Sequence, residues 1–582
     1  MIFKYLRGRD WAMVAVCVVL VAFMVYLELE IPGYMSDITT QLNMPVPDMD
    51  TIYHGGGMMI LCAFGSLILS IVVGALGSYI ASSLAKTLRD LEFAKVLSFS
   101  SEEMNRFSTA SLITRSTNDI TQIQMTMAMG LMIVIRAPLI AAWAVMKILD
   151  KNLEWTVATL IAVMAVISTI CILMTYVVPR FKRIQGLTDN VNRVTRENLS
   201  GIRVVRAYNA EGYQERKFEE ANDDLTTTNL SANRAMALMY PVMMMVMNGL
   251  TLSIYWIGAV LIHGAGAGQE ALVLFSDMVV FTSYAMQIVM AFVMMVVILM
   301  ILPRAMVASK RVQEVIDTEP SIVDGDGHEG TERGTVEFRN VSFRYPGAVA
   351  DVLHNISFKV SRGETVAFIG ATGSGKTTLA DLIPRFYDAT AGEVLVDGID
   401  VRDYRIRDLR SKLGYVSQKA FMFKGTIASN VNYGDTSGHR TDDDIRRAVS
   451  VAQAEGFVKS TPGGYGGDVS QGGTNLSGGQ RQRLSIARAV CRDPEIYIFD
   501  DTFSALDYRT DRTLRMRLKE EIEGATVLIV AQRIGTIMDA DKIVVIKDGG
   551  IAGIGRHEEL LITCSEYLDI ARSQLSEKEL GL

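Results

Sequence analysis

The sequence is poor in cysteine, histidine and net positive charge, and each shortage excludes a class of protein. Its 582 residues include five cysteines without a CxxC pair, which excludes a disulfide-stapled scaffold and a cysteine-rich zinc site. With six histidines, a histidine-rich metal site is not expected either. The net charge of −7 argues against a general nucleic-acid binder, because such a protein needs a basic field.

Long runs without any charged residue are the main feature of the first half of the chain. Hydrophobic residues make up 49% of the sequence and charged residues 21%, a balance that fits a membrane half joined to a soluble half. Since roughly 20 apolar residues cross a bilayer, the runs predict six spans, the third interrupted by Arg136. The predicted spans are residues 11–31, 55–85, 126–146, 155–179, 235–262 and 271–303.

The first run has a second interpretation, as a signal peptide. It has a basic flank, but Glu28 and Glu30 follow it in place of a small-residue cleavage site. A first membrane span is therefore the favoured interpretation.

The distribution of Lys and Arg between the spans predicts the orientation of the chain. Residues 32–54 and 263–277 carry no Lys or Arg, whereas residues 180–234 carry ten. By the positive-inside rule, both termini, the two long loops and the soluble half are expected in the cytosol. Apolar residues recur at helical spacing in the long loops, which predicts helices that continue out of the bilayer; disordered loops are the alternative.

A phosphate-binding loop follows a strand-like run in the second half. Residues 370–378 read Gly-Ala-Thr-Gly-Ser-Gly-Lys-Thr-Thr, which matches G-x-x-x-x-G-K-[ST] at a strand-to-helix turn. The glycines let backbone N–H groups close around phosphate oxygens, Lys376 reaches the β- and γ-phosphates, and Thr377 offers its hydroxyl to Mg²⁺. The expected ATP-binding residues here are Gly370, Thr372, Gly373, Ser374, Gly375, Lys376, Thr377 and Thr378.

Two further motifs follow this loop. Residues 496–501 read Ile-Tyr-Ile-Phe-Asp-Asp, an apolar strand ending in carboxylates, which is the form of a Walker B strand. Its first carboxylate, Asp500, is expected to hold Mg²⁺. The other motif, Leu-Ser-Gly-Gly-Gln at residues 476–480, lies between the glycine-rich loop and the Walker B strand.

With this last motif the sequence resembles the ABC ATPases, of which LSGGQ is the signature, over roughly residues 335–571. The resemblance implies that Tyr345 stacks on the adenine and that Gln418, in the Q-loop, contacts Mg²⁺ and takes part in catalysis. It also implies that Ser504 and Asp507 belong to the D-loop.

In that family two ATPase domains enclose two ATP molecules, and each site combines the Walker motifs of one chain with the signature of the other. A dimer is therefore implied, with ATP and Mg²⁺ as ligands. The residues implied to contact ATP bound by the partner are Ser477, Gly478, Gly479 and Gln480.

Six spans followed by one ATPase domain is similar to a half-transporter of the bacterial type IV ABC exporters. The implied fold is an α-helical six-span transmembrane domain followed by an α/β P-loop ATPase domain. The implied boundaries are 1–322 for the transmembrane domain, 323–334 for a linker and 335–582 for the ATPase domain. Coupling helices are expected at about 107–115 and 207–213, at the tips of the long loops.

Two residues depart from the family pattern at one site. Asp501 stands where the family has a catalytic glutamate, so its carboxylate lies roughly 1.5 Å further back. Gln532 stands where the switch loop has a histidine, and glutamine can neither carry the charge nor shuttle a proton. The pair resembles the degenerate-site subunit of heterodimeric multidrug exporters, which implies a homologous partner; a slow homodimer is the alternative.

Ionisable residues in or near the spans are the candidates for substrate contacts, because charge in hydrocarbon is costly. Arg136, Glu28 and Asp277 are expected at the substrate cavity, where the acidic groups would attract cationic substrates. The expected function is ATP-driven export of small amphipathic or drug-like molecules across the cytoplasmic membrane of a bacterium. Homodimeric transport of a lipid, peptide or siderophore, and a non-transporting regulatory or channel subunit, stay open.

Overall fold

The computed structural model describes residues 2–42, 44, 46–149, 151–266, 268–327, 330–434, 440–576 and 580. The chain divides into two compact units: the first unit is Met1–Leu97 with Ala110–Thr318, and the second unit is Ser98–Thr109 with Glu319–Leu582. Within the predicted linker, His328 and Glu329 lie outside the described residues.

Long apolar helices make up the first unit, as the charge-free runs predict. Among the described residues, six helical stretches are long and apolar enough to cross a membrane, which confirms the predicted six-span helical domain. The helices up to residue 317 are α1 (Gly8–Leu42), α2 (Met49–Leu97), α3 (Ser101–Phe107), α4 (Thr109–Thr114), α5 (Ile120–Leu149), α6 (Leu153–Ser200), α7 (Ile202–Ala207), α8 (Glu211–Ala237), α9 (Met239–Ala265) and α10 (Gln269–Asp317).

The long loops between the predicted spans are helical. Helices α2 and α6 run well past the ends of their charge-free segments, and a π-helical turn, Arg115–Asp119, joins α4 to α5. Inside the unit, α1 packs against α2, and α5 packs against α10. Buried side chains from several helices, among them Trp155 and Phe281, form its apolar core.

The described part of the second unit contains three β-sheets, and the largest of them has six strands in the order β12-β11-β3-β10-β9-β6. Its strands are parallel except β12, which pairs antiparallel with β11. The others are an antiparallel sheet, β2-β1-β4-β5, and the pair β7-β8. The strands are β1 (Val336–Phe343), β2 (Leu353–Val360), β3 (Thr365–Ile369), β4 (Ala391–Val396), β5 (Ile399–Asp400), β6 (Leu413–Val416), β7 (Gly425–Thr426), β8 (Asp468–Val469), β9 (Ile496–Asp500), β10 (Thr526–Val530), β11 (Lys542–Lys547) and β12 (Gly550–Gly555).

Helices cover the faces of the six-stranded sheet, so its central strands are buried on both sides and read as continuous apolar runs. This arrangement confirms the predicted α/β ATPase fold. The helices of the second half are α11 (Lys376–Leu382), α12 (Ile406–Ser411), α13 (Ile427–Val431), α14 (Asp442–Val451), α15 (Glu455–Ser460), α16 (Gly478–Arg492), α17 (Tyr508–Glu521), α18 (Ile534–Ile537), α19 (His557–Thr563) and α20 (Ser565–Gln574).

The neighbouring strands β3, β10, β9 and β6 place four loops at one edge of the sheet. Because these strands are parallel, their carboxyl ends meet at the same edge, where ligands bind in open α/β sheets. The glycine-rich loop follows β3, Gln532 follows β10, Asp501 follows β9 and Gln418 follows β6.

Candidate functional site

The glycine-rich loop turns sharply between β3 and α11. Gly373 has a φ of 83° and Gly375 a φ of 98°, conformations that favour glycine. At Gly370 an added Cβ would lie 2.1 Å from the carbonyl oxygen of Ile546, so a side chain has no room there. At Gly373, by contrast, nothing lies within 4 Å of an added Cβ, so the loop is open there to close approach by a ligand, as a phosphate cradle requires.

Lys376 lies inside this cradle. Its Nζ donates hydrogen bonds to the carbonyl oxygens of Gly370 (2.9 Å) and Ala371 (2.7 Å). Burial lowers the pKa of Lys376, while the nearby charges of Asp501 and Asp500 oppose this shift. The ammonium group is thus held at the loop, where it can exchange these carbonyl oxygens for phosphate oxygens.

Thr377 and Asp500, both predicted to hold Mg²⁺, lie side by side. The Thr377 hydroxyl donates to Oδ1 of Asp500 at 2.9 Å, although 123 residues separate the two. Burial raises the pKa of Asp500, and the hydrogen bond from Thr377 acts in the opposite direction. A hydroxyl and a carboxylate beside a phosphate cradle form an oxygen donor set of the kind Mg²⁺ takes, with water and phosphate oxygens completing its shell.

Asp501 accepts hydrogen bonds from both of the glutamines predicted beside it. Oδ2 of Asp501 accepts from Nε2 of Gln532 at 2.8 Å. The same oxygen accepts from Nε2 of Gln418 at 3.0 Å. Asp501 has a φ of 43°, in the left-handed region that aspartate tolerates better than most residues. The two departures from the family pattern and the Q-loop glutamine therefore form one hydrogen-bonded group.

Tyr345 lies beside the phosphate-binding helix. Its hydroxyl and that of Thr378 are 2.9 Å apart, and its ring packs edge-on against Tyr387 with 5.3 Å between centroids. An aromatic side chain thus stands next to the glycine-rich loop, where the resemblance places the adenine.

The signature and the D-loop form the starts of two helices. Ser477 caps α16: its hydroxyl accepts from the Gln480 N–H at 3.2 Å, and its own N–H donates to the Gln480 side chain at 2.8 Å. Ser477 and Gly478 are exposed, so this helix end is open to a ligand from outside the chain. Asp507 caps α17, and the Ser504 hydroxyl donates to the carbonyl oxygen of Asp501 at 2.8 Å.

Comparison with known proteins identifies both parts of the chain. Residues 11–292 match the ABC transporter transmembrane region, and residues 353–504 match the ABC transporter family. An uncharacterized ABC transporter ATP-binding protein of Mycobacterium tuberculosis is 39% identical over 531 residues, which cover 90% of this chain and 88% of the relative. The chain belongs to the ABC transporters.

Other ABC transporters are similar over most of the chain. The uncharacterized ABC transporter ATP-binding protein YfiB of Bacillus subtilis is 35% identical, with 91% of each chain covered. An ATP-dependent lipid A-core flippase of Pseudomonas aeruginosa is 32% identical, with 86% of this chain and 81% of the relative covered. The fold matches a bacterial Atm1-family ABC exporter with ATP bound at a TM-score of 0.80 and 24% identity, covering 98% of both chains.

Helix α3 of the transporter contacts the ATPase fold within the second unit. Glu103 accepts from the N–H of Ser100 (2.8 Å) and from that of Ser321 (3.0 Å). Nδ2 of Asn105 donates to the Tyr387 hydroxyl at 3.2 Å. These contacts lie N-terminal to residues 107–115, where the sequence predicts the coupling helix, because the capping box at Ser100 starts α3 earlier.

In the first unit of the transporter, Glu28 and Arg136 form an ion pair between α1 and α5. Nη2 of Arg136 donates to both carboxylate oxygens of Glu28, at 2.9 and 3.0 Å, and the Ser66 hydroxyl donates to one of them at 3.0 Å. Both charged residues line a cavity of about 330 Å³. Asp277 pairs instead with Lys151 at 2.6 Å and is not among the described residues that line this cavity.

Sequence reasoning named Arg136 but missed that it pairs with Glu28, and it missed Lys147 and Lys151 as partners of Glu30 and Asp277. Lys147 donates to Glu30 at 2.8 Å, so the acidic residues at the end of the first span do not stand as free negative charges. Such ion pairs could have been predicted, because an ionisable residue within a membrane span needs a partner from another span. The S-x-x-E pattern at Ser100 and Glu103 was likewise a readable start of α3.

Proposed function

We propose that this chain is an ATP-driven exporter subunit that moves small amphipathic or drug-like molecules by alternating access. It works in a heterodimer, and its own Walker site holds ATP but hydrolyses it slowly. The single observation behind this proposal is the Asp501 carboxylate held by the amides of Gln418 and Gln532.

The residues that bind nucleotide support retention of ATP. Lys376 supplies a positive charge at the glycine-rich loop, and Thr377 with Asp500 supplies oxygen ligands for Mg²⁺. Gln418 is a third candidate ligand through its side-chain oxygen. The bound ion would neutralise charge on the phosphates, and Tyr345 would stack on the base.

The residues that would activate water support slow hydrolysis. The Asp501 carboxylate stands one methylene further back than that of a glutamate, and its Oδ2 already accepts two amide hydrogen bonds. Gln532 cannot take up a proton during the reaction. Geometry and proton transfer are therefore both weakened at this site.

The signature of this chain supports a hydrolytic site elsewhere in the dimer. Ser477 and Gly478 are exposed at the start of a fifteen-residue helix, whose positive dipole end favours a γ-phosphate bound by the partner. The partner would carry the glutamate and histidine that this chain lacks. Both termini and the second unit would face the cytosol.

Helix α3 would carry the motion of the ATPase to the spans. Asn105 of α3 bonds to Tyr387, and Tyr387 packs against Tyr345 beside the expected adenine site. A continuous chain of contacts thus leads from Tyr345, at the expected adenine site, to α3. We assign the first coupling helix to Ser101–Phe107 on these contacts.

The heterodimer is tested by purifying the chain from its native membrane and identifying any homologous subunit that copurifies. We expect the complex to hydrolyse ATP on the order of 10- to 100-fold faster than the chain alone, while both bind ATP. A chain that purifies alone and turns over ATP as fast as the complex contradicts the proposal.

Transport itself needs a separate assay in sealed vesicles. We expect ATP-dependent uptake of a fluorescent amphipathic dye by the complex in inside-out vesicles, and no uptake with a non-hydrolysable ATP analogue. Lipid translocation is the second candidate, favoured by the lipid A-core flippases among the relatives. Movement of a fluorescent lipid between leaflets, without dye uptake, would select it.

A further inference from the structure

A group of ionisable side chains lies inside the first unit, where α2, the π-helical turn Arg115–Asp119 and α10 pack together. Nη1 of Arg115 donates to Oε2 of Glu314 at 2.9 Å and to the carbonyl oxygen of Arg311 at 2.6 Å. Nη1 of Arg311 lies 3.1 Å from Oδ2 of Asp119. Each arginine is thus paired with one carboxylate, and both pairs join the π-helical turn to α10.

Glu92 of α2 is the carboxyl group that these pairs leave over. Its side chain is 0% exposed, and in the described part of the chain neither carboxylate oxygen has a hydrogen-bond partner. The nearby Ser116 hydroxyl does not supply one, because it donates to the carbonyl oxygen of Leu112 at 2.9 Å. An ionised carboxylate without a partner is costly to bury, so this arrangement favours the protonated acid.

The electrostatic surroundings of Glu92 agree with its burial. Burial raises the pKa of Glu92 to about 7, Ser116 and the charge of Arg115 lower it, and the charge of Asp119 raises it. The 49 residues of α2 extend over about 74 Å. Because the apolar core of a bilayer is about 30 Å thick and the predicted span ends at residue 85, Glu92 lies beyond the membrane.

Other charged groups on the elements that pack against α2 have contacts away from Glu92. Helix α5 carries no charged residue before Arg136. Lys4 lies 3.7 Å from Asp317, and Asp10 accepts from the hydroxyl of Ser83 at 3.2 Å. The guanidinium of Arg9 lies over the ring of Tyr79, and Lys310 is exposed. Arg115 and Asp119 are therefore the charges that act on Glu92.

The three elements around Glu92 lie next to the points where the chain passes between the two units. Helix α2 ends at Leu97, and Ser98 already belongs to the second unit. The first unit resumes at Ala110, shortly before the π-helical turn, and α10 ends at Asp317, just before the second unit resumes at Glu319. A change in the pairing of these side chains would therefore act on all three connections.

We propose that Glu92 is a proton-operated switch of helix packing in the first unit. With a proton on Glu92, Arg115 holds Glu314 and the end of α10, as in this structure. When Glu92 releases the proton to water, its carboxylate draws Arg115 away from Glu314, and the π-helical turn loosens from α10. This regulation goes beyond the proposed exporter function and needs no nucleotide.

The test measures the distance between the π-helical turn and α10 in the full-length chain, in phosphatidylcholine nanodiscs without nucleotide. Spin labels are attached to Asn118→Cys and Lys310→Cys, both at exposed positions, and the exposed Cys171 is replaced through Cys171→Ser. Dilution with unlabelled chain restricts the dipolar signal to pairs within one chain. We expect a short distance at about pH 6 and a longer one at about pH 8.5, with a midpoint near the pKa of Glu92.

Three variants separate the roles of the carboxyl groups. Glu92→Gln keeps the size of the side chain but cannot ionise, so the short distance should persist at every pH. Glu314→Gln removes the carboxylate that competes for Arg115, so the midpoint should fall by about one pH unit. Asp90→Asn is the matched control, because it removes an exposed carboxylate from the same helix, and it should leave the midpoint unchanged.

Three results would overturn the inference. One is a distance in the wild type that does not change with pH, the second is a pH dependence that persists in Glu92→Gln, and the third is an equal loss of pH dependence in Asp90→Asn. If Glu92→Gln does not fold, the midpoint of Glu314→Gln decides, since an unchanged or higher midpoint contradicts the competition for Arg115. Because no ATP is present, the outcome is independent of whether the proposed ATP-driven transport is found.

Discussion

Two parts of the same nucleotide site differ in how far they follow the family pattern. The part proposed to hold phosphate and Mg²⁺, with Lys376, Thr377 and Asp500, keeps the residue types of the motifs and brings Thr377 and Asp500 together. The part that would activate water, with Asp501 and Gln532, has neither the length of glutamate nor the chemistry of histidine. Both lie at the carboxyl edge of one parallel sheet.

The difference teaches that holding a nucleotide and cleaving it depend on separable side chains of one scaffold. In the proposed site, binding would rest on the glycine-rich loop and α11, whereas activation of water would rest on the loops after β9 and β10. Substitutions in the second set can slow hydrolysis and leave the first set unaltered. The four predictions below test that separation.

The largest effect is expected for Lys376→Ala. Removing the ammonium group from the phosphate cradle should lower the affinity for ATP on the order of 100- to 1,000-fold, because a buried charged contact is lost. Equilibrium binding of a fluorescent ATP analogue measures this. The exposed Lys519→Ala is the control; an unchanged affinity in Lys376→Ala would mean that the first part does not bind the phosphates.

A gain of hydrolysis is expected for the double variant Asp501→Glu/Gln532→His. Restoring the longer carboxylate and a group that can take up a proton should raise single-turnover hydrolysis by the purified chain on the order of 10- to 100-fold. The affinity for ATP should stay the same. Glutamate tolerates the left-handed backbone at residue 501 less well, so a stability loss of about 1 kcal/mol is also expected.

If the double variant hydrolyses ATP no faster than the wild type, the comparison is contradicted, because residues other than Asp501 and Gln532 would then limit the rate of hydrolysis. Each single substitution serves as an internal control. Gln532→His alone should give the smaller gain, because the shorter carboxylate of Asp501 remains.

A smaller, pH-dependent effect is expected for Asp381, which lies on α11 beside the first part. Its carboxylate on α11 accepts from the Tyr415 hydroxyl of β6 at 2.9 Å, and burial raises its pKa to about 6. The folded chain thus keeps a proton that the unfolded chain releases between about pH 4 and about pH 6. The free energy of unfolding should fall as pH rises through this range, by up to about 2–3 kcal/mol.

Asp381→Asn removes this titration and keeps an acceptor for Tyr415. The Tm of the variant minus the Tm of the wild type, both measured on the full chain, should therefore increase as pH rises from about 4 to about 7. The exposed Asp569→Asn should show no such trend. A constant Tm difference across the range would show that Asp381 does not titrate there.

The smallest effect is expected for the cap of the signature helix. Ser477→Ala should lower stability by about 1 kcal/mol and Ser477→Gly by a few tenths, because glycine is the better replacement at a helix cap. Thermal unfolding measures both. The affinity of the chain for ATP should not change, and a loss would mean that the signature contributes to the chain's own site.

The sequence predicts much of the nucleotide site because its motifs are short and local. Each follows a strand of the parallel sheet, so the pairing of Thr377 with Asp500 follows once both strands are recognised. The hydrogen bonds from Gln418 and Gln532 to one oxygen of Asp501 could not be read in the same way. They depend on side-chain rotamers that the motifs do not specify.

The membrane helices are predictable in number and approximate extent but not in their contacts. Hydropathy predicts how long an apolar helix is. The pairing of Glu28 with Arg136 depends instead on how α1 and α5 are oriented about their own axes, which hydropathy does not predict. Glu30 was an equally plausible partner from sequence, and it pairs with Lys147.

The second unit is assembled from two separate stretches of chain, because Ser98–Thr109 belongs to it together with Glu319–Leu582. A fragment that begins at residue 319 would consequently lack the acceptor that Glu103 offers to Ser321 and the amide that Asn105 offers to Tyr387. A soluble ATPase fragment is best produced with residues 98–109 supplied as a grafted or added peptide, since part of its surface is encoded more than 200 residues upstream.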